Sequence, residues 1–376
     1  MHFAVSTLIL MTIIAKFNIP AILVAPLDWG LGHATRCIPI VKALLLNDCR
    51  VIIACNTLQK KIFEQEFTKI DFLPLEGYNI TYTKHPKLLA VSILRQLPSI
   101  VKVIKKENSW LKKIIDTHQI DLVISDNRYG LYTDKVPCIF ITHQLQIKAP
   151  LPFIEKILQK INYQYINKYT ACWVPDFKDH RNIAGTLSHP QKLPTVPVTY
   201  IGPLCRFETE KEITLKYDLC ISLSGPEPQR TVLENQILQE IHTISGNIIL
   251  VRGLPNNNET LVLPQNITVI NYLSGTHLGK VFQQSEIVIS RSGYSTIMEI
   301  ISLQKKAILI ATPGQTEQVY LAKKLMQQGW CYSVNQADFN LQQALDNSKS
   351  FNYQLPTTSP SSLNQFITDF LRKIFK

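Results

Sequence analysis

Ile287-Val288-Ile289-Ser290-Arg291-Ser292-Gly293-Tyr294-Ser295-Thr296-Ile297-Met298-Glu299 passes from a β-branched apolar triplet through a glycine loop into a stretch with helical spacing. Strand, tight loop and helix in that order are the first half of a parallel βαβ unit. The pattern recurs on both sides. Short β-branched or apolar runs fall at 22–25, 51–54, 71–73, 122–125, 138–141 and 171–174, then at 218–221, 248–251, 267–270 and 307–310, with longer helical patterns between them. The fold class is therefore α/β. From 175 to 214 the alternation lapses, with prolines at 190, 194, 197 and 203 and no sustained period, which reads as a connection between domains. The expected division is an extension over 1–19, a Rossmann-like domain over 20–175, a connection over 176–215, a second Rossmann-like domain over 216–350, and a tail with a helix over 351–376. Two such domains in tandem leave a cleft between the C-terminal ends of their strands, where open α/β sheets bind ligands.

A chain of 376 residues with 45% hydrophobic and 18% charged residues is neither disordered nor fibrous. Its 39 Lys and Arg against 28 Asp and Glu leave +11, so anions such as phosphorylated metabolites or acidic head groups are favoured partners. The eight cysteines are scattered, with no C-x-x-C pair, as suits reduced thiols in a cytoplasm. The apolar run 3–14 is too short to span a bilayer. With no basic residue before it and no small-residue cleavage site after it, it reads as an unstructured or membrane-touching extension rather than an export signal.

The first strand leads into Asp28-Trp29-Gly30-Leu31-Gly32-His33-Ala34-Thr35-Arg36 and then a helix. Gly32 lets backbone approach a ligand at a helix N-terminus, where free N–H groups favour negative charge. The third glycine of a dinucleotide fingerprint is missing, and the second strand ends in Cys55-Asn56 with no acid to hold a ribose, which argues against a nicotinamide enzyme. His33 at the cleft edge suits a general base, or it merely caps the helix. Asp126, at another strand end, would orient that imidazole, or serve as a turn residue. In the second domain, Ser224, Gly225, Gln229 and Arg230 lie in a loop before a helix, a diphosphate cradle or a simple capped turn. Glu299 can accept from both hydroxyls of a ribose, while Thr296-x-x-Glu299 equally spells a capping box. Glu317 and Gln318 open a further helix, suited to sugar hydroxyls or to a solvated first turn.

The Arg291-Ser292-Gly293-x-x-Thr296-x-x-Glu299 pattern, the later Glu317-Gln318 and the Gly30-Leu31-Gly32-His33 turn resemble the glycosyltransferases of the GT-B fold. The likeness is greatest to family 28, which includes a peptidoglycan N-acetylglucosaminyl transferase and galactolipid synthases. That resemblance implies two Rossmann-like domains facing across a cleft, and metal-independent inverting transfer from a nucleoside diphosphate sugar, with uridine as the base. The donor is a substrate, and no cofactor or metal is expected. By the resemblance His33 is the base, Glu299 holds the ribose, and Gly293, Ser295 and Thr296 hold the phosphates. Glu317 and Gln318 then hold the sugar, and Gly32, Ser224, Gly225, Gln229, Arg230, Arg252, Leu273, Arg291 and Ser292 complete the donor site. The acceptor is a glycan, lipid-linked or small, bound by the first domain. The rival readings are a nucleotide-sugar hydrolase or epimerase of the same fold, and a non-catalytic sugar-nucleotide binder.

Between 84 and 113, Lys84, Lys87, Arg95, Lys102, Lys105, Lys106, Lys112 and Lys113 alternate with apolar residues. This is a pair of helices with solvated lysine faces, or a basic amphipathic surface for an anionic membrane. No nucleic-acid or zinc pattern competes. A cytoplasmic protein, peripheral on the inner face of the cell membrane, is the expectation.

Overall fold

The computed structural model describes residues 19–78, 89–148, 152–210, 212–255, 257–357 and 363–375. The apolar run 3–14, Lys84 and Lys87 lie outside them. The first domain runs β1 (Ala21–Pro26), α1 (Gly32–Leu45), β2 (Arg50–Cys55), α2 (Thr57–Glu66), β3 (Asp71–Pro74), α3 (Leu89–Thr117), β4 (Leu122–Asp126), β5 (Cys138–Ile141), α4 (Pro152–Ile166), β6 (Ala171–Val174) and β7 (Val198–Tyr200). The second runs β8 (Tyr217–Ser222), α5 (Gln229–Glu240), β9 (Ile248–Val251), β10 (Ile267–Ile270), α6 (Gly275–Gln283), β11 (Ser285–Arg291), α7 (Tyr294–Ser302), β12 (Lys306–Ala311), α8 (Thr316–Gln327), β13 (Tyr332–Asn335) and α9 (Leu341–Ser350), and α10 (Leu363–Ile374) closes the chain.

Both sheets are parallel. Their orders are β3-β2-β1-β4-β5-β6-β7 and β10-β9-β8-β11-β12-β13. All six residues of β1 are buried, because a parallel strand with helices on both faces has no solvent side, and this is why the strands read as continuous apolar runs. In each sheet the strand order reverses between two neighbours, β1 and β4 in the first and β8 and β11 in the second. Crevices open at such switch points beyond the C-terminal strand ends. Asp126 ends the first pair and His33 follows it. Ser224, Gly225 and Gly293 follow the second.

Three features depart from the sequence expectation. β7 lies inside the stretch read as a connection, so the first sheet extends to Tyr200. Its three half-buried residues are too few to show a period. β13, also unforeseen, closes the second sheet beside β12. From Leu89 onward the basic segment forms one helix, α3, with Pro98 inside it. Ile104, Glu107, Leu111 and Ile115 are buried, while Lys102, Lys105, Lys106, Lys112 and Lys113 are exposed, so the amphipathic spacing survives. The inward Glu107 pairs with buried Arg128 at 2.8 Å.

After the second domain, α10 returns to the first and packs against α1. Phe366 and Phe370 meet Trp173 of β6 edge-on, with centroids 5.0 and 4.7 Å away. Ile367 between them is fully buried. Ile367→Ala should therefore destabilise the first domain by roughly 2–4 kcal/mol through the cavity it leaves. Urea unfolding followed by tryptophan fluorescence measures this, and an unchanged midpoint would mean that the helix is not docked.

Candidate active site

The first-domain side of the cleft is built on a buried charge. Asp126 ends β4 with no exposed surface, and burial alone would push its carboxyl up. Arg36 overrules that: its Nε donates to Asp126 Oδ2 at 2.8 Å and its Nη2 donates to Oδ1. With His33 adding to the pull, the carboxyl falls to about 2. His33 and Arg36 lie three apart on α1, hence on one face, and His33 Nδ1 sits 2.9 Å from Asp126 Oδ2. Arg36 Nη2 also lies 2.8 Å from that nitrogen. One nitrogen cannot both donate to the carboxylate and accept from the guanidinium. The ionised Asp126 settles the tautomer: Nδ1–H donates to it, and Nε2 keeps its lone pair. No described residue bonds to Nε2, and the side chain retains 14% exposure. Burial and the neighbouring guanidinium lower the imidazole's pKa, so His33 is neutral at pH 7 and able to accept a proton.

Arg36 has a third partner, His143, which follows β5. His143 Nδ1 lies 3.1 Å from Arg36 Nη1, and its Nε2 lies 2.6 Å from Glu317 Oε1 on α8 of the second domain. Gln144 donates to the other oxygen of Glu317. Glu317, expected on the donor sugar, is thus held by first-domain side chains. Burial raises its pKa, but His143 and Arg36 outweigh that and leave it below the usual carboxylate value. Across the cleft, Ser295 Oγ donates to the Gly32 carbonyl at 2.9 Å. The two glycine loops therefore touch.

On the second-domain side, Gly293 is the N-cap of α7 with no side-chain cap, and a Cβ there would meet nothing within 4 Å. Thr296 lies inside the helix, so it forms no capping box with Glu299. Glu299 instead accepts from Arg206 Nε at 2.7 Å through Oε1, and no described residue bonds to its Oε2. Burial raises its pKa despite Arg206. Gly225 has φ +106°, a conformation open to glycine and strained for other residues. Thr312 Oγ1, buried with no partner among the described residues, lies 3.9 Å from where a side chain on Gly225 would begin. Ser224 is exposed, and Leu273 is half-buried against the core. Ser292 Oγ donates to the Gln318 carbonyl, and Gln318 Oε1 accepts from Thr312 N, so both brace the loop after β12.

The arginines expected on the diphosphate are engaged elsewhere. Arg230 donates to Glu227 and Glu234, and Arg252 Nε donates to Glu234 at 2.6 Å. Arg291 ends β11 only 2% exposed and donates to Gln336 Oε1 and to the carbonyls of Gln229, Ile310 and Ala311. Burial lowers its pKa to about 10. It ties α5 to β12 from behind the loops. Sequence reading missed Arg36, His143, Gln144 and Arg206 as site residues. Arg36 was legible as the helical neighbour of His33, and His143 by its place just beyond a strand end.

Residues 228–374 match the glycosyltransferase family 28 C-terminal domain. An uncharacterized glycosyltransferase of Methanosarcina acetivorans is 23% identical over 325 residues, covering 80% of this chain and 82% of that protein. The UDP-N-acetylglucosamine--N-acetylmuramyl-(pentapeptide) pyrophosphoryl-undecaprenol N-acetylglucosamine transferase of Clostridium tetani is 24% identical over 253 residues, covering 62% of this chain and 65% of that one. The crystal structure of MurG from Acinetobacter baumannii superposes with a TM-score of 0.58 at 13% identity, covering 94% of this chain and 99% of that one. The fold they share is GT-B.

The charge state of Asp126 makes a prediction. Its folded pKa, about 2, lies below the unfolded value of about 3.9, so its stabilisation is complete above roughly pH 4 and is lost as pH falls toward 2. Asp126→Asn leaves the Arg36 charge buried and unpaired and should cost roughly 3–5 kcal/mol. Denaturation series at several pH values should show the variant's stability falling less steeply than wild type below pH 4.

Proposed function

We propose that this chain, a glycosyltransferase whose residues 228–374 match the family 28 C-terminal domain, moves a sugar from a uridine diphosphate sugar to an acceptor hydroxyl by one inverting displacement without a metal. The observation that carries the reading is His33: Nδ1 is fixed on Asp126 while Nε2 stands free at the seam where the two glycine loops meet. His33 Nε2 takes the hydroxyl proton as the oxygen attacks the anomeric carbon. The new bond forms at that carbon as its bond to the diphosphate oxygen breaks, and the diphosphate leaves with the electron pair. Asp126 stabilises the imidazolium that results. The N-terminal N–H groups of α7, whose N-cap Gly293 supplies no side-chain cap, suit the departing anion, whereas in α5 the Thr231 N–H already donates to Glu227 Oε2. Glu299 Oε2 is the acceptor for a ribose hydroxyl, and the open space over Gly293 admits phosphate oxygens.

The choice of uridine follows the resemblance and the name of the Clostridium tetani relative. That name also supports a lipid-linked acceptor, and with it a cytoplasmic protein working at the inner face of the membrane. The exposed lysines of α3 would face anionic head groups there. Among the described residues no helix is long and apolar enough to cross a membrane.

Thermal-shift titration with uridine, guanosine and thymidine diphosphates and their sugars tests the donor, since a ligand that binds only the folded state raises the melting temperature. Uridine compounds should raise it most, and no response to any nucleotide would contradict the reading. His33→Ala should lower transfer by roughly two to four orders of magnitude while leaving nucleotide affinity unchanged. Because the pKa of His33 is lowered, the acid limb of kcat/KM should fall below about pH 6.5, the ordinary imidazole value. Glu299→Ala should weaken nucleotide binding, and calorimetry showing unchanged affinity would remove Glu299 from the ribose.

A further inference from the structure

His143 belongs to the first domain by sequence and to the second by its surroundings. Its ring lies flat on Tyr294 of α7, centroids 3.9 Å apart and planes 4° from parallel. Tyr294 is itself pinned by donating its hydroxyl to the Pro175 carbonyl at 2.7 Å. One tautomer satisfies both ring nitrogens: Nε2–H donates to Glu317, and Nδ1 accepts from Arg36. The result is an unbroken hydrogen-bonded chain from Glu317 through His143, Arg36 and Asp126 to His33. We propose that His143 is a positioning residue that transmits the seating of the second domain's Glu317 to the imidazole of His33.

The physical route is electrostatic. The Arg36 guanidinium lies against His33 Nδ1 and opposes its protonation, and a second carboxylate held close to Arg36 partly offsets that opposition. His143 and Gln144 hold that carboxylate in place. The charged and titratable groups around His33 are Asp126 from β4, Arg36 and Cys37 from α1, His143 beyond β5 and Glu317 from α8. Tyr294 of α7, stacked on His143, keeps its proton because burial pushes its pKa well above the ordinary value, so among the described groups the charge that comes from the second domain is that of Glu317. Its position therefore reports to the base whether the two domains are closed on one another.

For catalysis the inference rests on His33 as the base, but its test requires no substrate. In full-length protein labelled with ¹⁵N-histidine, the nine histidines report tautomer and protonation by NMR as pH is varied. Wild type should show His33 with Nδ1–H and His143 with Nε2–H. Glu317→Ala removes the carboxylate. His143→Phe keeps a ring on Tyr294 but deletes both hydrogen bonds. Glu317→Ala should move the His33 titration to lower pH by about half a unit or more, the scale of a unit charge displaced by several ångströms in a partly wet site. His143→Phe should move it the same way but less, because the His143 ring itself opposes protonation of His33 and its loss offsets part of the effect. The double variant should move it no further than the larger single change, because the residues act as one unit. His143→Gln, which offers an acceptor to Arg36 and a donor to Glu317, should restore the wild-type midpoint. A His33 titration unmoved by Glu317→Ala, or moved additively by the two changes, would overturn the proposal. Should His143→Phe fail to fold, Glu317→Ala and His143→Gln still decide it. A wrong donor or acceptor assignment leaves these outcomes intact, and failure of the coupling leaves the transfer reading in place.

Discussion

A carboxylate with no exposed surface stays ionised only when a cation and hydrogen-bond donors sit on it, and Asp126 meets that condition through Arg36 and His33. Much of the cleft follows from this one requirement. The guanidinium must reach the end of β4, which fixes the rotation of α1, and His33, one turn earlier on the same face, is brought to the cleft edge. With Asp126 ionised, the imidazole has one permissible tautomer, and its free nitrogen looks outward. The remaining arm of Arg36 needs an acceptor, and His143 supplies it. A single buried charge thereby organises side chains from α1, β4 and the segment after β5, and through His143 reaches the second domain.

In the second domain the arginines beside the glycine loops are paired or sequestered. Arg230 and Arg252 share Glu234, and Arg291 is sequestered among carbonyls. Positive potential for the proposed anion would then come from backbone, chiefly the first turn of α7 behind Gly293, which has no side-chain cap, because the first turn of α5 is capped by Glu227. Such donors are held by secondary structure and need no reorganisation when an anion arrives. The arginines brace the loops that carry those N–H groups.

The fold was legible because parallel strands covered on both faces must be apolar throughout, and every strand that obeys that rule was found in the sequence. The two that escaped, β7 and β13, are a half-buried edge strand of three residues and one of four that ends exposed, where the rule no longer applies. Pairing of His33 with Asp126 was legible from their positions at strand ends flanking one switch point. What spacing could not supply was partnership. Arg291 has the composition of a phosphate site, yet its acceptors, Gln336 and the Gln229 carbonyl, come from elements distant in sequence, whereas Arg230 is held by Glu227 and Glu234, three and four residues away on its own turn of chain. What holds for Arg291 holds for Glu317, whose position at a helix start suggests solvent or sugar, whereas packing of one domain on the other delivers it to His143. Glu299 reads equally as cap or ligand in the sequence; the structure removes the capping box by placing Thr296 inside the helix, and puts Arg206 on one carboxylate oxygen.

The central claim is that a base on the first domain and a diphosphate-holding loop on the second act on opposite sides of one anomeric carbon in a single displacement. The measurement closest to that claim is the anomeric configuration of the transferred sugar, read by proton NMR in the first minutes of turnover of an α-linked nucleotide sugar. The account predicts that the β anomer forms first. Initial formation of the α product would contradict it.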